Sequence, residues 1–391
     1  MPHSIGRRIE YHRRLAQPPM TQRQLADAAG LSLGAIRKIA TGARRPTGAT
    51  IEAVADALRV DVSRLLTAPE APRTRVHAVQ PELSAALADY DAPEDGPVRA
   101  LHVLRRTVAE TEQWRLAAQY TRIARTLPAL LPELLRSHHA AAAGERKERA
   151  ALLVRAARSA DAMVYKAGGR NLSARLIDVM RWAVPAADDP ALEAAVAYVR
   201  TETFFAARAH AAGLRALEAA IDAAAGGADA RRVAARGALH MRAAVIAGRA
   251  GRADAAVGHL GEARALADTL AEGVYCGTAF GPDSVRVHEV SVAVGLGNAH
   301  AERALSVARG WKPPTSLPAE RRSGFYIETA RAQLWTGRRD AAFEALRAAR
   351  RIAPQHTREH PWVRHDVAVL RRLTRARADE LSAFAQWCAA D

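Results

Sequence analysis

Residues 21–46 read TQRQLADAAGLSLGAIRKIATGARRP, and their spacing predicts two short helices joined by one sharp turn. Thr21 is a side-chain cap for a helix that puts Leu25, Ala26 and Ala29 on one face. Gly30 stands where the chain must reverse, in a backbone conformation that glycine tolerates best. Leu31 pins the turn, Ser32 caps the next helix, and Ile36 and Ile39 give it an apolar face until Gly42 stops it. Upstream, a first helix runs from Ser4 to about residue 16 with Ile5, Ile9 and Leu15 inward, and Gln17-Pro18-Pro19 ends it. Downstream, Thr50 begins a fourth helix carrying Ile51, Val54, Ala55 and Leu58. Val60, Val62, Leu65 and Leu66 then close a core within residues 1–66.

Charge sharpens the reading. Residues 1–66 hold 11 Arg and Lys against five acids, a net +6, while the other 325 residues carry +10 of the chain's total +16. Such a concentration of positive charge favours an anionic partner such as nucleic acid.

Five short helices with this order of Gln, Leu-Ala, Gly, Leu-Ser, Ile, Ile and Gly-x-x-x-Pro resemble the lambda-repressor/Cro-like (XRE) helix-turn-helix family over residues 4–66. The resemblance implies binding to double-stranded DNA, with the third helix in the major groove and helix two set against a phosphate. By that likeness Gln22 clamps the backbone, and Arg44 and Arg45 reach flanking phosphates. Ser32, Leu33, Gly34, Arg37 and Lys38 face the groove. Leu33 and Gly34 offer no side-chain hydrogen bonds, where family members carry Gln, Asn or Arg. Base reading therefore falls to Arg37 and Lys38, which suit guanine, with Leu33 limited to a thymine methyl and DNA shape contributing. The family binds pseudo-palindromic operators as dimers, so a homodimer is implied.

Residues 67–97 read as a Pro-containing linker with one short helix, and residues 98–391 as a succession of amphipathic helices without a strand-like run. GRADAAVGHLGEARALA (251–267) aligns without gaps to GRRDAAFEALRAARRIA (337–353), a displacement of 86 residues, or two repeats of about 40. Weaker copies lie at 167–185 and 295–308. These segments resemble the second helices of tetratricopeptide-like repeats. The expected fold class is thus all-α, a five-helix Cro-like head followed by a helical-repeat array. That order is similar to actinobacterial XRE/tetratricopeptide regulators, which implies an array that dimerises and senses a peptide or small-molecule effector. Aromatic and polar residues that would line its groove are Tyr198, Glu202, Phe205, His240, Arg242, Tyr275, Phe280, His288 and Tyr326. The same aromatics also fit a plain core between helices.

Other chemistry finds little support. The chain has no GxxxxGK[ST], no HExxH and no serine nucleophile elbow, so no enzyme, metal or cofactor is expected. His356, His360 and His365 read as surface residues, and Cys276 and Cys388 are too few for a disulfide framework. No apolar run suits a bilayer and MPHSIGRRIEYHRR lacks a signal-peptide core, so the expected place is the cytoplasm. The competing reading is an interaction scaffold whose head touches DNA weakly and without sequence preference.

Overall fold

The turn at Gly30 forms as its sequence requires: φ is 65°, and the Leu31 amide reaches back to the Ala26 carbonyl at 2.9 Å. It joins α2 (Gln22–Ala28) to α3 (Leu33–Ala40). Thr21 and Gln24 cap α2 reciprocally, and the Ser32 hydroxyl accepts from the Ala35 amide at 3.1 Å to start α3. In this computed structural model the described residues are 5–388 apart from 17, 45, 59, 61–64, 66–74, 225, 228 and 374–377. The chain divides into two units, residues 1–73 and 74–391.

In the first unit, α1 (Ile5–Leu15) and α4 (Gly48–Leu58) join α2 and α3, and the expected fifth helix falls mostly on residues outside the described ones. Ile9, Leu25, Ile36, Ile39, Ile51, Val54, Leu58 and Leu65 fill its core. The fourth helix starts two residues earlier than Thr50, because Thr47 accepts from the Thr50 amide at 3.3 Å. Helix α1 crosses α3 so closely that a Cβ on Gly6 would lie 2.0 Å from the Ile39 carbonyl oxygen. The Arg8 guanidinium donates to the Leu65 carbonyl at 2.6 Å, tying the ends of the head together. The expected Ser4 cap, the Leu15 side chain, Val62 and Leu66 lie outside the described residues.

The second unit begins inside the segment expected as linker. Helices α5 (Arg75–Ala78) and α6 (Gln80–Ala86) bury Val76, Val79, Leu83 and Leu87 in the array's core. Helix pairs follow: α7 (Leu101–Leu116) with α8 (Tyr120–His139), α9 (Arg146–Lys166) with α10 (Arg170–Ala187), and α11 (Pro190–Ala206) with α12 (His210–Ala223). Next come α13 (Ala230–Arg249) with α14 (Ala253–Ala267), α15 (Pro282–Gly295) with α16 (Ala301–Ala308), and α17 (Ala319–Trp335) with α18 (Arg339–Ile352). After the short α19 (Pro354–Glu359), α20 (Pro361–Leu373) packs on α21 (Ala378–Cys388). Each first helix packs on the first helix of the next pair as well as on its own partner, the arrangement of a repeat array.

A shared backbone device makes most of these turns. Ala118, Gly168, Arg208, Gly251 and Gly337 all have positive φ. The amide after each one bonds a carbonyl five positions earlier, at 2.8–3.0 Å: Gln119 to Trp114, Gly169 to Val164, Ala209 to Phe204, Arg252 to Ala247 and Arg338 to Gln333. This is the Schellman closure of a helix. The Gly-Arg copies read from the sequence at 251 and 337 are such turns plus their second helices. The copy at 295–308 differs, passing through a 3-10 turn at Asn298–His300.

The fold is all-α as expected, with one short strand pair where the sequence shows no strand-like run. β1 (Gly273–Tyr275) and β2 (Thr278–Phe280) form an antiparallel hairpin. Cys276 and Gly277, with φ of 46° and 72°, make its two-residue turn. Arg115 donates to the Gly277 carbonyl at 2.7 Å, and Arg158 donates to the Cys276 carbonyl at 2.5 Å and the Thr278 hydroxyl at 2.6 Å. Side chains from α7 and α9 thus hold the turn of the hairpin. The array also meets itself: the Thr121 amide donates to Gln355 Oε1 at 2.9 Å across 234 residues, and Lys166 pairs with Glu320 at 3.0 Å.

A residue with a Cβ pays a steric penalty in the left-handed region. Arg208→Gly should therefore raise stability by about 0.5–1 kcal/mol, and Gly337→Ala should lower it by about 1 kcal/mol. Urea unfolding of the two variants checks both signs.

Candidate functional site

Two faces gather the residues expected to act, one in each unit. On α3, Gly34, Arg37, Lys38 and Thr41 are exposed at helical spacing, while Ile36 and Ile39 are buried beneath them. The helix thus turns a basic stripe outward because its apolar stripe is anchored inward. Neither Arg37 nor Lys38 enters an ion pair among the described residues, so their donors face solvent. Ser32 is exposed with its hydroxyl on the Ala35 amide. Leu33 is half-buried and leans on the head's core, so less of it is offered outward than the sequence implies. Gln22 donates its amide to Glu10 at 2.7 Å. The same carboxylate pairs with Arg13 at 2.6 Å, and that bond holds Glu10 below the usual carboxylate range. Arg44 is exposed, and Arg45 lies outside the described residues.

The array's face is built from the first helices. Tyr198, Glu202 and Phe205 recur at i, i+4 and i+7 on α11, and Arg242 of α13 lies over them. Its guanidinium sits 4.5 Å from the Tyr198 ring and 5.3 Å from Phe205, donates to the Thr201 hydroxyl at 2.7 Å and pairs with Glu202 at 3.3 Å. His288 belongs to the same network: its Nδ1 meets the Ser284 carbonyl at 2.8 Å and its Nε2 meets Arg321 at 2.8 Å. The first contact makes Nδ1 the donor, so Nε2 accepts from the guanidinium and the ring is neutral. Burial alone would raise the Tyr198 hydroxyl, but Arg242, Arg321 and Arg158 outweigh it and bring it down to about 8.

The other expected residues stand apart. His240 meets His259 Nδ1 to Nδ1 at 3.1 Å, Phe280 is fully buried core, and the Tyr275 hydroxyl donates to the Ala271 carbonyl at 2.9 Å. Tyr326 packs edge-on to Phe325 at 5.3 Å. The surface reading of His356 is corrected: it is 3% exposed and hydrogen-bonds the Ser323 hydroxyl at 2.7 Å. The partner, on the adjacent first helix, is what allows a histidine to be buried there. His360 is half-buried, while His365 is exposed.

Sequence reading missed several members of the inner network. Asp161, buried, accepts from the Ser173 hydroxyl at 2.5 Å, and burial followed by the nearby Glu202 pushes it well up. Burial would raise Glu320 too, but Lys166 and His356 hold it down to about 2. Glu328 accepts from Ser291 of α15. The side chains of Lys166 and Glu320 remain 26% exposed, so solvent reaches an otherwise enclosed group of charges. A signal for these residues was present. Arg158 and Tyr165 stand at the positions of Tyr198 and Phe205 once α9 and α11 are aligned on their turns at Gly168 and Arg208.

Burial lowers His356 to about 3, so between its unfolded value near 6.5 and about 3 only the unfolded chain takes up that proton. This makes stability fall as pH drops through that window. Glu328, raised to about 7 by burial, acts in the opposite sense between about 7 and 4.5. The clean readout is a difference. His356→Gln should gain stability relative to wild type as pH is lowered from about 7 to 4.5, measured by urea midpoints.

Comparisons with known proteins place the head. Residues 16–65 match the family model described as helix-turn-helix. No curated protein matches the chain. The crystal structure of Bacillus thuringiensis PlcR in complex with the peptide PapR7 and DNA is similar at 13% identity and TM-score 0.29, covering 68% of this chain and 95% of that one. The apo form of the competence regulator ComR from Streptococcus vestibularis is similar at 12% identity and TM-score 0.16, covering 100% of this chain and 99% of that one. Neither likeness transfers a residue role. No described helix is long and apolar enough to cross a membrane. With the Gly30 turn, the two caps and the basic stripe in place, the N-terminal head of this chain is a helix-turn-helix domain of the XRE type.

Proposed function

We propose that this chain is a transcriptional regulator that binds a pseudo-palindromic DNA site as a homodimer, and whose helical array senses a peptide or small-molecule effector. The observation that carries the reading is the outward stripe of α3, where Arg37 and Lys38 stand exposed and, among the described residues, without an ion pair, over a buried apolar face. An α-helix of that form fits the major groove, and Arg and Lys there read guanine. Gly34 leaves the helix tip slim, so backbone and DNA can approach closely. One such module buries little surface, and a second copy supplies the affinity and spacing that regulation requires. The effector role draws support from the network around Glu202, Arg242 and Lys166. Its charges are enclosed but still wetted, the character of a binding groove more than of a sealed core. Its place of action is then the cytoplasm, on nucleoid DNA.

Sequence selection with the purified protein at fixed salt tests the DNA reading. The expected result is a palindrome with half-sites about 34–36 Å apart, one helical turn. Arg37→Ala with Lys38→Ala should relax the preference within each half-site, whereas Arg44→Ala should weaken all sequences alike and reduce the salt slope by about 1. Salt-sensitive binding without any selected motif would sink the regulator in favour of a scaffold with non-specific DNA contact.

A further inference from the structure

Three cations of the array's inner network have a carboxylate partner. Lys166 has Glu320, Arg242 has Glu202, and Arg331 has Asp366 at 3.7 Å. Arg249 and Arg321 do not: among the described residues neither reaches a carboxylate at ion-pair distance. Both are nonetheless fixed. Arg249 lies 4.4 Å from the Phe205 ring and 5.8 Å from Trp362, where cation–π attraction holds its charge, and among the described residues it donates no side-chain hydrogen bond. Arg321 is anchored on His288. The Glu328 carboxyl feels both guanidiniums without pairing with either, because Ser291 holds it. Two fixed guanidiniums thus stand near the one Glu328 carboxyl, and among the described residues neither forms an ion pair with it.

We propose that these two arginines form a binding site for a small organic anion, its carboxylate or phosphate held by Arg249 and Arg321 and its apolar part laid against Phe205 and Trp362. The fork of a guanidinium matches either oxyanion through paired N–H donors. Aromatic rings beside the fork favour an anion that carries a planar apolar group. The surroundings support the charge sign. Buried Tyr198 is brought down to about 8 by guanidiniums. His288 and His360 are lowered first by burial and then further by neighbouring positive charge. The inner face is therefore electropositive where the two arginines stand. This inference rests on the array as sensor for its biological meaning, but binding itself is measured without DNA.

Calorimetry and thermal melting of the full chain, with benzoate, phenyl phosphate and benzylamine as probes, test the site. Benzoate or phenyl phosphate should bind and raise the melting temperature, and which of the two binds more tightly identifies the oxyanion. Benzylamine should do neither. Arg249→Met and Arg321→Met should each weaken the anion at least tenfold. Glu328→Gln should tighten it several-fold by removing the competing negative charge, an outcome that a misfolded protein cannot mimic. Equal binding of benzylamine, binding of neither anion, or arginine variants that bind like wild type would each overturn the proposal. Retained operator selection in such a case would leave the DNA reading standing.

Discussion

A left-handed residue closing a helix is the constraint from which the rest of the structure follows. In the head it is Gly30, and it sets α3 across α2 so that one face of α3 is anchored and the other is free. In the array it recurs at Ala118, Gly168, Arg208, Gly251 and Gly337. Each time, the amide that follows satisfies a carbonyl near the end of the first helix, so the chain folds back in the same way. Repetition of the same turn keeps the first helices in register. Register then lets side chains at matching positions on neighbouring helices meet.

What meets there is mostly charge. Glu112 with Arg155, Asp161 with Glu202, Glu202 with Arg242 and Ser291 with Glu328 stitch successive first helices. Taking ions out of water is expensive, and a pair in the interior stabilises little beyond its own desolvation. Alanine-lined packing between the helices, with Ala156, Ala157, Ala160, Ala243, Ala244 and Ala247 buried, supplies the cohesion instead. The polar contacts choose one alignment among many that small side chains would permit.

How much of this the sequence discloses depends on how local the physics is. Caps at Thr21 and Ser32, the Gly30 turn and the Ile36–Ile39 stripe are settled within a few residues, and all were legible. Repeats were legible where glycine marks the turn, at 251 and 337, and not where Ala118 or Arg208 adopts the same conformation without announcing it. Tyr198, Phe205 and Arg242 could be picked out because aromatics are scarce. Lys166 and Glu320 could not be paired, since only the winding of the array brings them together. The burial of His356 and the docking of the 273–280 hairpin likewise depend on partners supplied by distant helices, Ser323 in one case and Arg115 with Arg158 in the other.

The bond from Thr121 to Gln355 has a consequence for how such a chain can change over evolutionary time. An open array can gain or lose a repeat with little penalty, because each unit touches only its neighbours. Here the start and the end of the winding are clasped. Duplicating or deleting one pair would carry Gln355 past Thr121 and part Lys166 from Glu320. The clasp fixes the number of repeats, so variation must come by substitution on the inner face and not by changing its length.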